Sequence, residues 1–260
     1  MDLKIKNRHA LLTGASKGLG RACAERFAEA GARVTLVARD ERALRATCDE
    51  IGTRYNVRAD WIVADTAKPE DRAAVLAKCP DPDILVLSSG WPKGAMQATP
   101  WDPAAWQGAL ESMLLGQAQM LSTVGEGMAR RGFGRMVVVT SRLIKEPEFE
   151  LALPAAARMG LSAYIKALSN HLARHNVTVN SILPGIFDTE TQKANTARLV
   201  AEQGLTEAEV VAKRAVFTPA GRFGTPEEFS ALCAYLCSAD AGFMTGQALT
   251  LDGGAHSGVL

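Results

Sequence analysis

The chain has 260 residues, 47% of them hydrophobic and 22% charged, with a formal net charge of +1. That is ordinary for one large α/β domain with a substantial core, and neither sign of charge forms a block, which sets aside a basic nucleic-acid surface and an acidic tail. No stretch of about 18 apolar residues occurs and "MDLKIKNRHALLTG" lacks a signal-peptide run, so a cytoplasmic protein is expected, off the membrane, whose partners are small molecules or other subunits.

Short apolar runs alternate with amphipathic stretches from the start. Residues 9 to 13 (HALLT) read as a strand followed by a helix to Ala30; 33 to 38 (RVTLVA) precede a helix from Asp40. Residues 61 to 65 (WIVAD) lead to another helix, then 83 to 90 (DILVLSSG). Gly31 fits the position just past a helix end and Asp40 an N-cap, so punctuation agrees with periodicity. This rhythm predicts an α/β fold, a Rossmann-type doubly wound parallel sheet with helices on both faces, in a single domain over 1–260.

The second half continues the pattern with a long helical region at about 102 to 130 and the strand 135 to 141 (RMVVVTS). A helix from Pro154 to about Arg174, the strand 177 to 183, a helix near 226 to 238 and the strand 248 to 254 follow. Between them a polar, helical segment interrupts the order. Its place near the carboxyl edge of the sheet, where ligands bind in such folds, predicts a substrate lid over 186–224.

The five cysteines, Cys23, Cys48, Cys79, Cys233 and Cys237, are odd in number and lack CxxC spacing, so they read as reduced thiols. Cys233 and Cys237 are expected to pack as small hydrophobes, and no metal is expected. The histidines are scattered, with His171 and His175 late in a helix, where the dipole favours them.

"TGASKGLG", Thr13 to Gly20, follows the first strand and opens the first helix. Its glycines, Gly14, Gly18 and Gly20, let the backbone approach a diphosphate and aim helix N–H groups at its charge. An NAD site usually ends the second strand with an acid that bonds the ribose 2′-hydroxyl, and Ala38 stands there instead. Arg39 follows it and Lys17 lies inside the loop; two cations attract a 2′-phosphate, so NADP(H) is the expected cofactor.

The GxxxGxG spacing, together with "VNSILPGIFDT" (179 to 189) and the closing "LDGG", resembles the short-chain dehydrogenase/reductase family over essentially the whole chain. The resemblance implies cofactor contacts from Gly14, Ser16, Lys17, Gly18, Leu19 and Gly20, from Arg39, and from Asp65 against the adenine. It implies further contacts from Pro184, Gly185, Ile186 and Thr189 around the nicotinamide carboxamide. "LSSG" stands where the family has NNAG, so only Gly90 transfers directly. Ser88 and Ser89 serve as well for strand-end capping.

The family reduces carbonyls with Ser, Tyr and Lys, supported by an Asn on a neighbouring helix. Tyr gives the proton, Lys four residues later lowers its pKa and holds the ribose, and Ser orients the carbonyl. Counting back about 26 residues from Asn180 and forward about 13 from Ser141 both reach Pro154, which puts the lysine position at Arg158 and the asparagine position at Met113. Tyr164 and Lys166 do not rescue the pair, being only two apart. Ser141 and Arg158 are therefore the expected catalytic residues. Arginine still bonds ribose hydroxyls and stabilises a negative oxygen, but its high pKa makes it no proton donor. Substitute donors are sought among Arg142, Lys145, Glu146 and Glu148, and Trp91 and Lys93.

Proline suits a first helical turn and alanine favours helix, so "PAAAR" keeps the helix while removing the tyrosine chemistry. The expected function is an NADP(H)-dependent oxidoreductase acting on a carbonyl or alcohol, 3-oxoacyl reductase-like, with a non-standard site. The alternatives are an NADP(H)-binding pseudoenzyme or regulatory subunit, and a non-redox lyase or isomerase. Family resemblance also implies a homotetramer built on the helices near 102 to 130 and 155 to 174. Trp91, Met96 and Phe187 are expected at the mouth of the site, which hints at an apolar ligand.

Overall fold

In a computed structural model of the chain, residues 2–88, 90 and 102–259 are described. They form a sheet of seven strands in the order β3-β2-β1-β4-β5-β6-β7, all pairs parallel. The strands are β1 His9–Thr13, β2 Arg33–Ala38, β3 Ala59–Val63, β4 Ile84–Ser88, β5 Gly134–Val139, β6 Val177–Pro184 and β7 Ala248–Leu251. The order reverses between β1 and β4, which opens a crevice at their carboxyl ends.

Side-chain alternation explains why both faces are covered. Ala10 and Leu12 of β1 enter one core with Phe27 of α1 (Gly18–Glu29), Leu44 of α2 (Glu41–Tyr55) and Phe229 of α9 (Pro226–Leu236). Leu11, between them, enters the opposite core with Val75 of α3 (Pro69–Lys78), Leu121 of α5 (Gly116–Arg131) and Leu161 of α6 (Ala152–Leu172). Period-two strands buried on both sides read as continuous apolar runs, the pattern that marked them in the sequence.

Several boundaries differ from expectation. β3 stops at Val63, leaving Asp65 in a turn, β5 stops at Val139, and β7 stops at Leu251. The expected helix from Pro154 begins at Ala152. A 3-10 turn, Phe149–Leu151, runs directly into it, and Pro154 remains within the first turn, where a missing N–H forfeits no intrahelical bond.

The long helix expected at 102 to 130 is interrupted. α4 (Pro103–Leu110) and α5 are joined by a π-helical turn, Glu111–Leu115. Against it lies the buried guanidinium of Arg72 from α3, which bonds Gln119 Oε1 at 2.8 Å, the Thr66 carbonyl at 3.0 Å and Glu111 Oε1 at 2.7 Å. The group fills the space beside Gly116, where a Cβ would lie 2.8 Å from Arg72 Nη1.

Residues 186–224 form a helical hairpin, α7 (Glu190–Gln203) and α8 (Glu207–Ala215), closed at its base by pairing of Phe187 with Gly224. The Phe187 ring packs edge-on against Phe229 at 5.6 Å and is buried. It is a core residue that also lines a small cavity with Ile186, Thr218 and Asp252. Trp91, Met96, Lys93 and Ser89 lie outside the described residues. All five cysteines are free and buried. Among the described residues no three potential ligands converge as a metal group, and no helix is long and apolar enough to cross a membrane.

Candidate functional site

The crevice between β1 and β4 is floored by the glycine loop. Gly14 leaves β1 at φ 63°, and a Cβ there would lie 2.8 Å from the Ser88 carbonyl. Thr13 Oγ1 donates to that carbonyl at 3.2 Å and accepts the Ser88 N–H at 3.0 Å, so the two strand ends are pinned together. A Cβ on Gly20 would collide with the Gly14 carbonyl, which lets α1 start directly against the turn. Ser16 holds the loop from behind, its carbonyl accepting Thr47 Oγ1 at 3.3 Å, and Leu19 packs against the core.

Lys17 is the N-cap of α1 but caps nothing with its side chain, and both it and Arg39 just beyond β2 are exposed. Neither makes an ion pair with a described residue, so two cations stand unneutralised beside the loop. Asp65 lies in the turn after β3, where its Oδ1 accepts the Ala67 N–H at 3.1 Å. Gly90 follows β4 and is exposed; nothing lies within 4 Å of a Cβ placed on it, so packing by described residues does not demand glycine there.

At the end of β6, Gly185 is required by contact, since a Cβ on it would lie 2.7 Å from Asp252 Cβ. Its N–H donates to the Leu251 carbonyl at 2.9 Å, and the Ile186 carbonyl accepts the Gly224 N–H at 2.9 Å. Pro184 ends the strand and Thr189 caps α7, its Oγ1 accepting the Gln192 N–H at 3.3 Å.

Ser141 follows β5 and caps a 3-10 turn, Arg142–Ile144, by accepting the Leu143 N–H at 3.3 Å. Its hydroxyl proton stays available to an acceptor, because the bond uses only a lone pair. Arg158 sits on α6 one turn after Pro154 and is buried; burial pushes its guanidinium down to about 10. It is still a cation at neutral pH. Met113 is buried within the π-helical turn, and Gln117 Nε2 donates to its carbonyl at 3.5 Å.

The loop after Ser141 is a charge network. Arg142 pairs with Glu146 at 3.2 Å and Glu148 at 2.7 Å. Glu146 also accepts the Ser257 N–H at 3.1 Å and lies 2.9 Å from His256 Nδ1, contacts that hold its carboxyl below the usual range. It is thus ionised at neutral pH and no longer a proton donor there. Lys145 is half-buried and makes no side-chain bond with a described residue.

Three contacts escaped sequence reasoning. They are Gln117 on the Met113 carbonyl, the tail residue His256 on Glu146, and Glu190 Oε2, which accepts the Gly18 N–H at 3.1 Å. The first is signalled by the spacing of four within a helical run. The other two join residues more than a hundred positions apart and leave no local signal.

Comparison with known proteins agrees with this architecture. A family model described as enoyl-(acyl carrier protein) reductase matches residues 14–256. The 3-oxoacyl-(acyl-carrier-protein) reductase FabG of Vibrio cholerae is 30% identical over 258 residues, 98% of this chain and 99% of that protein. The acetoacetyl-CoA reductase of Cupriavidus necator is 30% identical over 98% of this chain and all of its own. L-sorbose reductase from Gluconobacter frateurii, solved with NADPH and L-sorbose, superposes with a TM-score of 0.94 at 27% identity, covering 100% of both chains.

Proposed function

Because this chain belongs to the short-chain dehydrogenase/reductase family, we propose that it is an NADP(H)-dependent oxidoreductase that interconverts a carbonyl and an alcohol, with a non-standard active site. The observation that carries the cofactor reading is the glycine loop. Its Gly18 N–H already holds a carboxylate oxygen at 3.1 Å, so the loop accepts an anion at the start of α1. Gly14 and Gly20 let the loop fold tightly against the Ser88 carbonyl and its own turn, and Lys17 with Arg39 supplies positive charge for a 2′-phosphate. Asp65 and Gly90 face the adenosine half; Pro184, Gly185, Ile186 and Thr189 form the nicotinamide end, and hairpin 186–224 serves as the lid.

When bound, the nicotinamide supplies a hydride. Ser141 directs its hydroxyl proton to the carbonyl oxygen, and the Arg158 cation stabilises negative charge developing there. Pro154 offers no proton. With Glu146 ionised and Glu148 paired to Arg142, Lys145 and solvent remain as proton sources on the Ser141 loop. Substrates are carbonyl compounds of the kind that the 3-oxoacyl and acetoacetyl reductases among its relatives are named for. The assembly is a homotetramer.

Proline and methionine at the tyrosine and asparagine positions favour a second reading, an NADP(H)-binding pseudoenzyme or regulatory subunit. One pair of experiments separates the two. Wild type is titrated with NADPH and assayed at the nicotinamide absorbance against ketones, aldehydes and 3-oxoacyl thioesters; turnover supports the oxidoreductase, and tight binding without turnover supports the alternative. Pro154→Tyr with Arg158→Lys is then assayed on the same panel. A gain of about 10²-fold or more marks a native site that lacks only its acid, because a positioned acid is worth about 10²- to 10⁴-fold. Loss of activity marks a site with its own proton route.

A further inference from the structure

The glycine loop and the helical hairpin meet at one bond. Gly18 is the first residue of α1 and Glu190 the first of α7, and the Gly18 N–H donates to Glu190 Oε2 at 3.1 Å. The two segments lie within van der Waals reach, since a Cβ on Gly18 would lie 3.6 Å from Thr189 Cβ and 3.7 Å from Glu190 Oε2. Thr189 sets the direction in which α7 departs by capping it, and the Phe187–Gly224 pairing anchors the hairpin base. The Glu190 carboxylate thus stands at two helix N-termini, its own and that of α1, both of which favour negative charge. Among the described residues it makes no ion pair.

The inference rests on the loop being the diphosphate site. A diphosphate held there uses N–H groups of the first turn of α1, and a carboxylate about 4 Å away repels it. The Gly18 N–H has one proton and does not serve both anions fully. The geometry points to Glu190 as a built-in competitor of the cofactor, whose carboxylate must leave Gly18 when the diphosphate arrives. Cofactor capture and release of the first turn of α7 from the glycine loop are then one event. Negative charge at position 190 lowers cofactor affinity and in exchange keeps the hairpin docked on the loop when cofactor is scarce.

The test compares dissociation constants of NADPH and of adenosine 2′-monophosphate, which lacks the diphosphate, for wild type, Glu190→Gln and Glu190→Ala. Glu190 is exposed, so neither change threatens folding. Both variants should bind NADPH about 3- to 10-fold more tightly, the scale of one charge at a helix N-terminus, and adenosine 2′-monophosphate with unchanged affinity. Amide hydrogen exchange in the first turn of α7 should quicken when wild type binds NADPH. Unchanged or weaker NADPH binding by both variants overturns the inference, because Glu190 would then clasp a bound cofactor or do nothing. An α7 equally protected with and without NADPH overturns it as well. If no form binds NADPH, the cofactor reading falls and takes this inference with it, an outcome distinct from binding that ignores the charge.

Discussion

The role proposed for Arg39 rests on position and charge alone. It is exposed just beyond β2, is tied to no carboxylate among the described residues, and follows Ala38 where an acid would otherwise select the ribose hydroxyl. Arg39→Ala should therefore weaken NADPH binding by about 10-fold or more, on the scale of a charge-assisted phosphate bond, and leave NADH nearly untouched. Parallel titrations of both cofactors check this; equal losses for the two would show that Arg39 contacts no 2′-phosphate. Such a charge is legible in sequence because nothing else competes for it. Hydroxyls are less legible. Ser141 and Thr189 were expected at substrate and carboxamide, and each also accepts a backbone N–H that starts a helical turn. A side chain oxygen that suits both jobs does not announce which one it performs.

At the scale of elements, the sequence told where helices lie better than how they are wound. The run at 102 to 130 is helical throughout by composition, and the side chain that packs against its π-helical turn, Arg72, comes from about 40 residues upstream, which no local pattern contains. Two glycines on that run make a causal role for Arg72 testable. Gly108 in α4 would have nothing within 4 Å of a Cβ added to it, and Gly108→Ala should stabilise by about 0.5–1 kcal/mol through reduced backbone entropy. At Gly116 the same carbon would meet Arg72 Nη1 at 2.8 Å, the Glu111 carbonyl at 3.0 Å and the Thr66 carbonyl at 3.1 Å. Gly116→Ala should accordingly cost about 1–3 kcal/mol, a fall of several degrees in melting temperature. Thermal melts of the two variants side by side decide it: equal stabilisation would mean that Arg72 does not enforce the turn.

For the whole molecule, the parallel sheet was legible because its central strands are buried on both faces and the strands alternate with helices of ordinary length. The strand ends were not, since Asp65, Ser141 and Gly253 continue an apolar run in sequence but have left the ladder in space. Assembly is the level that periodicity leaves open, and surface chemistry bears on it. Leu115 in the π-helical turn and Met159 on α6 are 54% and 49% exposed. They flank a packed contact, Leu114 against Gly160, where a Cβ on Gly160 would lie 3.3 Å from Leu114 Cδ2. Two apolar side chains on adjoining helices, left half in water, suit the centre of a patch that a second copy covers. A stable interface of about 800 Å² per partner draws on more than these two residues, yet charge at its centre is disproportionately costly. Leu115→Glu with Met159→Glu should therefore split the proposed homotetramer into smaller species while leaving the monomer folded, because both side chains point away from the cores. Light scattering on the eluting protein measures the mass directly. A wild type that elutes as a monomer would remove the assembly, and a double variant with undiminished mass would move the interface to another face.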